Sequence, residues 1–413
     1  MKLTKRILAL VLALVITLSF VACDSKSEKD QEILTQRREI VVAKMLEMTS
    51  VLWRADETFT YSKARASEGL ENDPVKDRMT IVAGRVYQGL PYTHASGSGE
   101  AFMAYMTEPD EKGVYTLTGV TPDHMNGIDG VEMNSRARLG NDCADAVFWA
   151  WSMVSSSIDF TMTYYMTEDH GCIKVGEYEC NTDEHLATKQ DCKDNGIEVM
   201  CKAYAQLQPA DAVVHRTKGD GSGHAMMVTN VEVVMDGDKI DPYKSYVNVA
   251  HQTSDKFKNM RSYYNEELPE TVYLICGTDD KVTFQRLFDS GYLPMTCKEL
   301  IDASPVAEEA VTDSETQATL ENIFTGTFTS PYRISSVTIT ITDKDGKEVQ
   351  KATCFGREAE MRAFDISRFT NELELLQGSL DLDALAAGDY HCTHTCQIAT
   401  GKIFTVRDFD FTK

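Results

Sequence analysis

Cys143, His224 and His251 have the residue types and chain order that nucleophilic catalysis by a thiol requires. A thiol attacks as the thiolate, and it needs an imidazole to take and return its proton and a third polar group to orient the ring. Cys143 follows Asn141-Asp142, a helix-capping pair, and opens the apolar run Ala144 to Val154. In the first turn of that helix, exposed amide N–H groups favour the thiolate and are expected to lower the thiol from its ordinary pKa of about 8.5. His224 opens a strand after the turn Gly219-Asp220-Gly221-Ser222-Gly223, and His251 closes the next strand, Tyr246 to His251. Asn248 competes with His251 for the orienting place, but strand alternation puts the two on opposite faces. His251 is the preferred reading. The plainer roles are a small core residue for Cys143 and a turn cap for His224. His94, His124, His170, His185 and His215 have no partner at diagnostic spacing and read as surface or loop residues.

Around these residues the expected elements are few. From Ile40 to about Thr60 the apolar spacing suits a helix with a wide buried stripe, and Arg78 to Gly89 reads as a second helix stopped by glycine. Residues 94 to 140 are polar and loop-like, and 157 to 205 are acidic, turn-rich and carry Cys172, Cys180, Cys192 and Cys201. Strand signals at 211 to 215, 224 to 234, 246 to 251 and 271 to 276 predict an antiparallel sheet, and Phe284 to Gly291 a closing helix. Asp302 to Ala310 is small and acidic, a candidate joint between domains. Beyond it Ser335 to Thr342 alternates strictly and meets the turn Asp343-Lys344-Asp345-Gly346-Lys347, a hairpin signal. Several short strands over residues 303–413 predict an immunoglobulin-like β-sandwich.

Five phrases in the first part resemble the NlpC family of cell-wall cysteine peptidases. Gly89-Leu90-Pro91-Tyr92 is similar to its Gly-x-Pro-Tyr, Asp142-Cys143 to the start of its Asp-Cys-Ser-Gly, and Leu207-Gln208-Pro209-Ala210-Asp211 to its Leu-x-Pro-Gly-Asp. Gly223-His224 is similar to the histidine strand, and Val249-Ala250-His251 to the strand of the third residue. The resemblance covers about residues 75 to 260. It implies an α+β papain-like domain over residues 23–300, with Cys143 as nucleophile, His224 as base, His251 as orienting residue and Tyr92 as a hydroxyl lining the site. It also implies hydrolysis of an amide in a peptidoglycan stem peptide, with no cofactor and no metal. Ala144 and Asp145 stand where the family has Ser and Gly, and Ala210 where it has Gly. A carboxylate at Asp145, beside Asp142 in the same turn, changes charge and shape near the thiol and offers a place for a substrate amine. The rival readings are a non-catalytic surface binding protein, and an amidase or acyltransferase with the same triad and a non-wall substrate.

The N-terminus gives the compartment. Lys2, Lys5 and Arg6 precede an apolar or hydroxyl stretch from Ile7 to Ala22, short for a membrane span and suited to an export signal. It ends Phe20-Val21-Ala22-Cys23 before a polar segment, which resembles a bacterial lipobox and makes Cys23 the lipidation site. Residues 1–22 are then removed. Acyl chains supply the membrane affinity, at about 0.8 kcal/mol per buried methylene. With 64 Asp+Glu against 41 Lys+Arg and a net charge of −23, the chain lacks the basic balance of a nucleic-acid binder. The expected partners are peptidoglycan or its peptides and, through the lipid, a membrane. Outside the cytoplasm disulfides persist, and one or two are expected within 157 to 205, with Cys354 pairing to Cys392 or Cys396. Cys392, His394 and Cys396 share one strand face, but three ligands from one strand are too nearly collinear to close a metal site.

Overall fold

A computed structural model describes residues 27–62, 78–93, 99–118, 140–160, 162–180, 187–217, 223–257, 260–356, 362–371 and 380–413. The leader 1–22, Cys23, His94, His124 and His185 lie outside them. No helix among the described residues is long and apolar enough to cross a membrane.

The long helix Glu28–Ser50 starts at a capping box in which Ser27 and Asp30 exchange side-chain and backbone hydrogen bonds. Arg38, buried in its middle, donates to Asp211 Oδ1 at 2.9 Å, Pro209 O at 2.7 Å and Leu300 O at 3.0 Å. This one guanidinium ties the helix to the start of one strand of the central sheet, Ala212–Arg216, and to the end of its neighbour, Leu293–Cys297. That sheet has six strands in the order Gly277–Thr283, Tyr246–His251, Gly223–Glu232, Ala212–Arg216, Leu293–Cys297 and Cys172–Lys174. Every neighbouring pair is antiparallel. Consecutive residues of its middle strands, among them Val213, Val214, Ala225, Met226 and Met227, are buried in the larger core with Phe148 and Trp151, so both faces of the sheet are covered there. Burying such side chains is the main term that holds the layers together.

The expected α+β papain-like domain followed by an immunoglobulin-like sandwich does not describe the molecule. Strand exceeds helix, 37% against 25%, and is spread over six separate sheets with mostly short helices. A five-stranded sheet was not foreseen: Arg261–Asn265, Glu270–Leu274, Val86–Gln88, Leu52–Ala55 and Tyr115–Leu117, with two of its pairings parallel. Part of it comes from Arg78 to Gly89, which forms the strands Arg78–Ile81 and Val86–Gln88 instead of a helix. Met79 and Ile81 both point inward in a two-residue period, and Gly84 turns the chain between the strands at φ +76°. In the C-terminal part the Asp343 turn does join two strands, Ile334–Asp343 and Glu348–Phe355. They belong to a four-stranded sheet with Asp389–Ile398 and Ile403–Thr412, and its companion is a small three-stranded sheet whose strands have two or three residues. The two layers are too unequal for the sandwich expected. Phe328 and Phe364 fill the space between them with Val337, Ile339 and Ile341.

Register also settles the cysteines of this part. Cys354 and Cys396 are both direct partners of Val337, one on each side of it, so two strand spacings separate them. At roughly 4.8 Å per spacing this exceeds the Cα separation a disulfide tolerates. Cys392 sits opposite Ile341, further along, and pairs with Cys354 no better. In the cysteine-bearing stretch Cys172, Cys192 and Cys201 are thiols outside any disulfide, and the chain there folds into the edge strand Cys172–Lys174 and the helices Thr188–Asn195 and Ile197–Tyr204.

The C-terminal part touches the rest through Arg333. Its guanidinium lies 3.4 Å from the centre of the Phe148 ring and 5.5 Å from that of Trp149, and the residue is buried. Its carbonyl accepts from the N–H of Ala399, which itself joins the larger core.

Candidate active site

Cys143 is the first residue of the nine-residue helix Cys143–Trp151. Asp142 caps it: one carboxylate oxygen accepts from the N–H of Ala144 at 2.8 Å and of Asp145 at 3.0 Å. Every residue of the helix is buried, and Trp151 Nε1 donates to Ala210 O at 2.7 Å, which holds the far end against the sheet. The thiol therefore sits on an element fixed at both ends.

Gly89 to Tyr92 runs alongside. A Cβ on Gly89, where φ is +92°, would stand 2.0 Å from Cys276 Sγ, so only glycine lets the strand end turn there. Three residues beyond Gly89, Tyr92 bridges to Asn141, and its hydroxyl donates to the Cys143 sulfur. From the other side the Ala225 N–H, one residue after His224, also hydrogen-bonds the sulfur. The structure thus brings Tyr92, Asp142, Cys143, Asp145 and the start of the histidine strand together.

His224 Nε2 lies 2.7 Å from His251 Nδ1, and His251 Nε2 lies 3.1 Å from Asp280 Oδ2. Asp280 in turn accepts from Arg261 Nη2 at 2.5 Å. A carboxylate only accepts, so it fixes a proton on His251 Nε2 and leaves a lone pair on His251 Nδ1. His224 must then carry its proton on Nε2. The basic lone pair is left on His224 Nδ1, the nitrogen outside the relay. Asn248 is turned away from this array and donates to Asp279 Oδ1.

The charge states differ from the expectation for a helix-terminal thiol. Burial pushes the Cys143 thiol far above its usual range, the carboxylates of Asp142 and Asp145 push the same way, and the Ala225 and Ala144 amides oppose them. Desolvation and carboxylates outweigh the helix end. Burial, then the neighbouring His251 and His215, holds His224 well below the ordinary imidazole value. Burial also raises the Tyr92 hydroxyl. The resting pair is neutral thiol and neutral imidazole.

Asp280, Gly277, His215 and Tyr292 are contributions that the sequence reading missed. His215 is not a loop residue; it faces His224 across paired strands. The Tyr292 ring centre is 6.5 Å from that of His224. A signal for Asp280 existed in Gly277-Thr278-Asp279-Asp280, a glycine and two acids directly after the last predicted strand, but only the strand register connects it to His251. Among the described residues, no three His, Cys, Asp or Glu side chains are placed to hold a metal ion together. His394 Nε2 bonds instead to Ile323 O at 2.9 Å. Compared with protein families, curated proteins and solved structures, the chain matches none.

Proposed function

We propose that this chain is a cysteine hydrolase, anchored by lipid on Cys23 to the outer face of a membrane, that cleaves an amide bond in peptidoglycan stem peptides. The observation that carries the reading is the hydrogen-bonded relay from Asp280 through His251 to His224, whose chain neighbour Ala225 gives its N–H to the Cys143 sulfur. The five motifs similar to the NlpC family supply the substrate class.

The chemistry follows from the tautomers. As the Cys143 sulfur attacks the carbonyl carbon, its proton passes to His224 Nδ1, and the positive charge formed on the ring is stabilised through His251 by the Asp280 carboxylate. Because both partners start neutral, proton transfer accompanies S–C bond formation. Asp142 occupies the Ala144 and Asp145 amides, so the oxyanion falls to the Cys143 N–H, which has no hydrogen bond among the described residues, and to the Tyr92 hydroxyl. His224 returns the proton to the departing amine, leaving a thioester. Water, giving a proton to His224, then cleaves the thioester to a carboxylate and restores the thiol. The deciding experiment incubates the purified chain with stem peptides and follows release of a new amine by mass spectrometry. Release must vanish in Cys143→Ala; no release from any stem peptide sinks the reading.

The closed, neutral thiol favours a second reading, a binding protein for the same peptides. It would retain stem peptides without cleaving them, and Cys143→Ala would bind as the native chain does.

A further inference from the structure

Cys172 and Cys297 are direct partners across the antiparallel edge strands Cys172–Lys174 and Leu293–Cys297. The hydrogen-bond phase of that ladder identifies the type of site. Val175 donates to Pro294 O at 3.0 Å, so the bonded pairs fall at Val175 with Pro294 and, by alternation, at Ile173 with Thr296. Cys172 turns its own N–H away, to Thr167 O at 3.0 Å. Cys172 and Cys297 are therefore a non-hydrogen-bonded pair, in which Cα atoms approach to about 4.5 Å and the side chains share one face. That separation lies inside the range a disulfide spans. Both side chains are completely buried, with no other cysteine opposite them in the ladder. Burial pushes the Cys172 thiol up, and the Arg216 guanidinium, whose Nε and Nη1 are buried with no hydrogen-bond partner among the described residues, opposes that rise only in part.

Cys172 and Cys297 are both thiols in the structure, and we propose that oxidation joins them in a disulfide in the exported protein. In its formation the Cys172 thiolate attacks the disulfide of a thiol oxidoreductase, giving a mixed disulfide and releasing one oxidoreductase thiol. The Cys297 thiolate then displaces the second, so the pair loses two electrons and two protons and the oxidant leaves as a dithiol. Because both sulfurs are inside the folded sheet, the bond forms as the edge strand docks. It closes the chain from Cys172 to Cys297 into one loop that contains His224, His251 and Asp280. The expected bonds within 157 to 205 give way to one that leaves that stretch and pins the edge strand Cys172–Lys174.

The proposal rests on the reading of the leader as an export signal and is independent of the hydrolase. The test recovers the full chain from cells blocked with N-ethylmaleimide before lysis, fractionates it, exposes it to N-ethylmaleimide again in denaturant so that buried thiols react, and maps its peptides without reduction. A second sample is refolded in a glutathione redox buffer. Expected in both is a linked peptide pair carrying Cys172 and Cys297, two hydrogens lighter than its parts. Reductant should lower the melting temperature of the native chain and leave Cys172→Ala and Cys297→Ala unmoved. Maleimide on both cysteines in both samples overturns the proposal, as does a reductant shift that persists in the variants. A link confined to the glutathione sample, with the cell-derived chain in the cytosolic fraction, overturns it through the export reading alone. Loss of stem-peptide cleavage with the link intact bears only on the hydrolase.

Discussion

Gly277 lies opposite His251 across two antiparallel strands, and a Cβ at Gly277 would stand 2.2 Å from His251 Nε2 and 2.7 Å from Asp280 Oδ2. The contact between His251 and Asp280 exists because that position has no side chain. Gly277→Ala is expected to displace the ring and cut kcat for stem-peptide cleavage on the order of 100-fold, with KM nearly unchanged. A Gly277→Ala enzyme of native rate would show that the relay does not set the rate.

Asp280→Asn tests the tautomer argument separately. An amide that donates to His251 Nε2 reverses both imidazoles and puts a proton on His224 Nδ1, where the base is needed. The expected outcome is a folded chain with at least about tenfold lower kcat and a displaced acid limb in its pH–rate profile. An unchanged profile would assign Asp280 a merely structural role.

The resting thiol should be sluggish. With Cys143 held protonated by burial and by Asp142, its alkylation by iodoacetamide at neutral pH is expected to be slower than that of a free cysteine and to rise as pH increases. Peptide mapping after timed exposure measures it, and rapid labelling at pH 6 would overturn the neutral pair.

His394 makes the C-terminal part acid-sensitive. Burial depresses its imidazole to about 4, against 6.5 for an exposed ring. The unfolded chain takes a proton below pH 6.5 that the folded chain refuses, so stability falls as pH drops from 6.5 to 4, by roughly 3 kcal/mol. The half-unfolding urea concentration of the native chain should therefore decline over that interval, and less steeply in His394→Gln. Equal slopes would remove His394 as the cause.

Ala210 adopts φ +78°, where a Cβ costs about 1 kcal/mol. Ala210→Gly relieves that strain at the expense of one buried methyl and greater freedom of the unfolded chain. It should leave the melting temperature level or higher, whereas Ala212→Gly in the adjoining strand should lower it. A loss at Ala210 equal to that at Ala212 would show that the turn is unstrained.

Legibility in the sequence followed the range of the interaction. The cap and apolar run around Cys143 are local, and the helix is there. His224 and His251 are placed by two adjacent strands whose alternation is visible in the text. Asp280 reaches His251 only through the register of a third strand, which no local pattern specifies. Met79 and Ile81 fit either period until Gly84 breaks the run, and the partner sheet then decides for strand. The thiol expectation failed for another reason: a helix end acts within one turn, whereas burial and two carboxylates act together and outweigh it. Residue type alone pairs Cys354 with Cys392 or Cys396, and only the strand order, which sets the strand of Val337 and Ile341 between them, keeps them apart.

The guanidinium of Arg333 against the Phe148 ring bears on how such a protein can be taken apart. A gene cut near residue 303 would not release two independent modules. The half carrying Cys143 would present the faces of Phe148 and Trp149 to water, a sticky aromatic scar five residues along from the nucleophile, and the other half would keep a cation stranded at its severed edge. The seam is thus part of the hydrolase half's own packing, and exchange of the C-terminal part between proteins would succeed only where an arginine arrives with it.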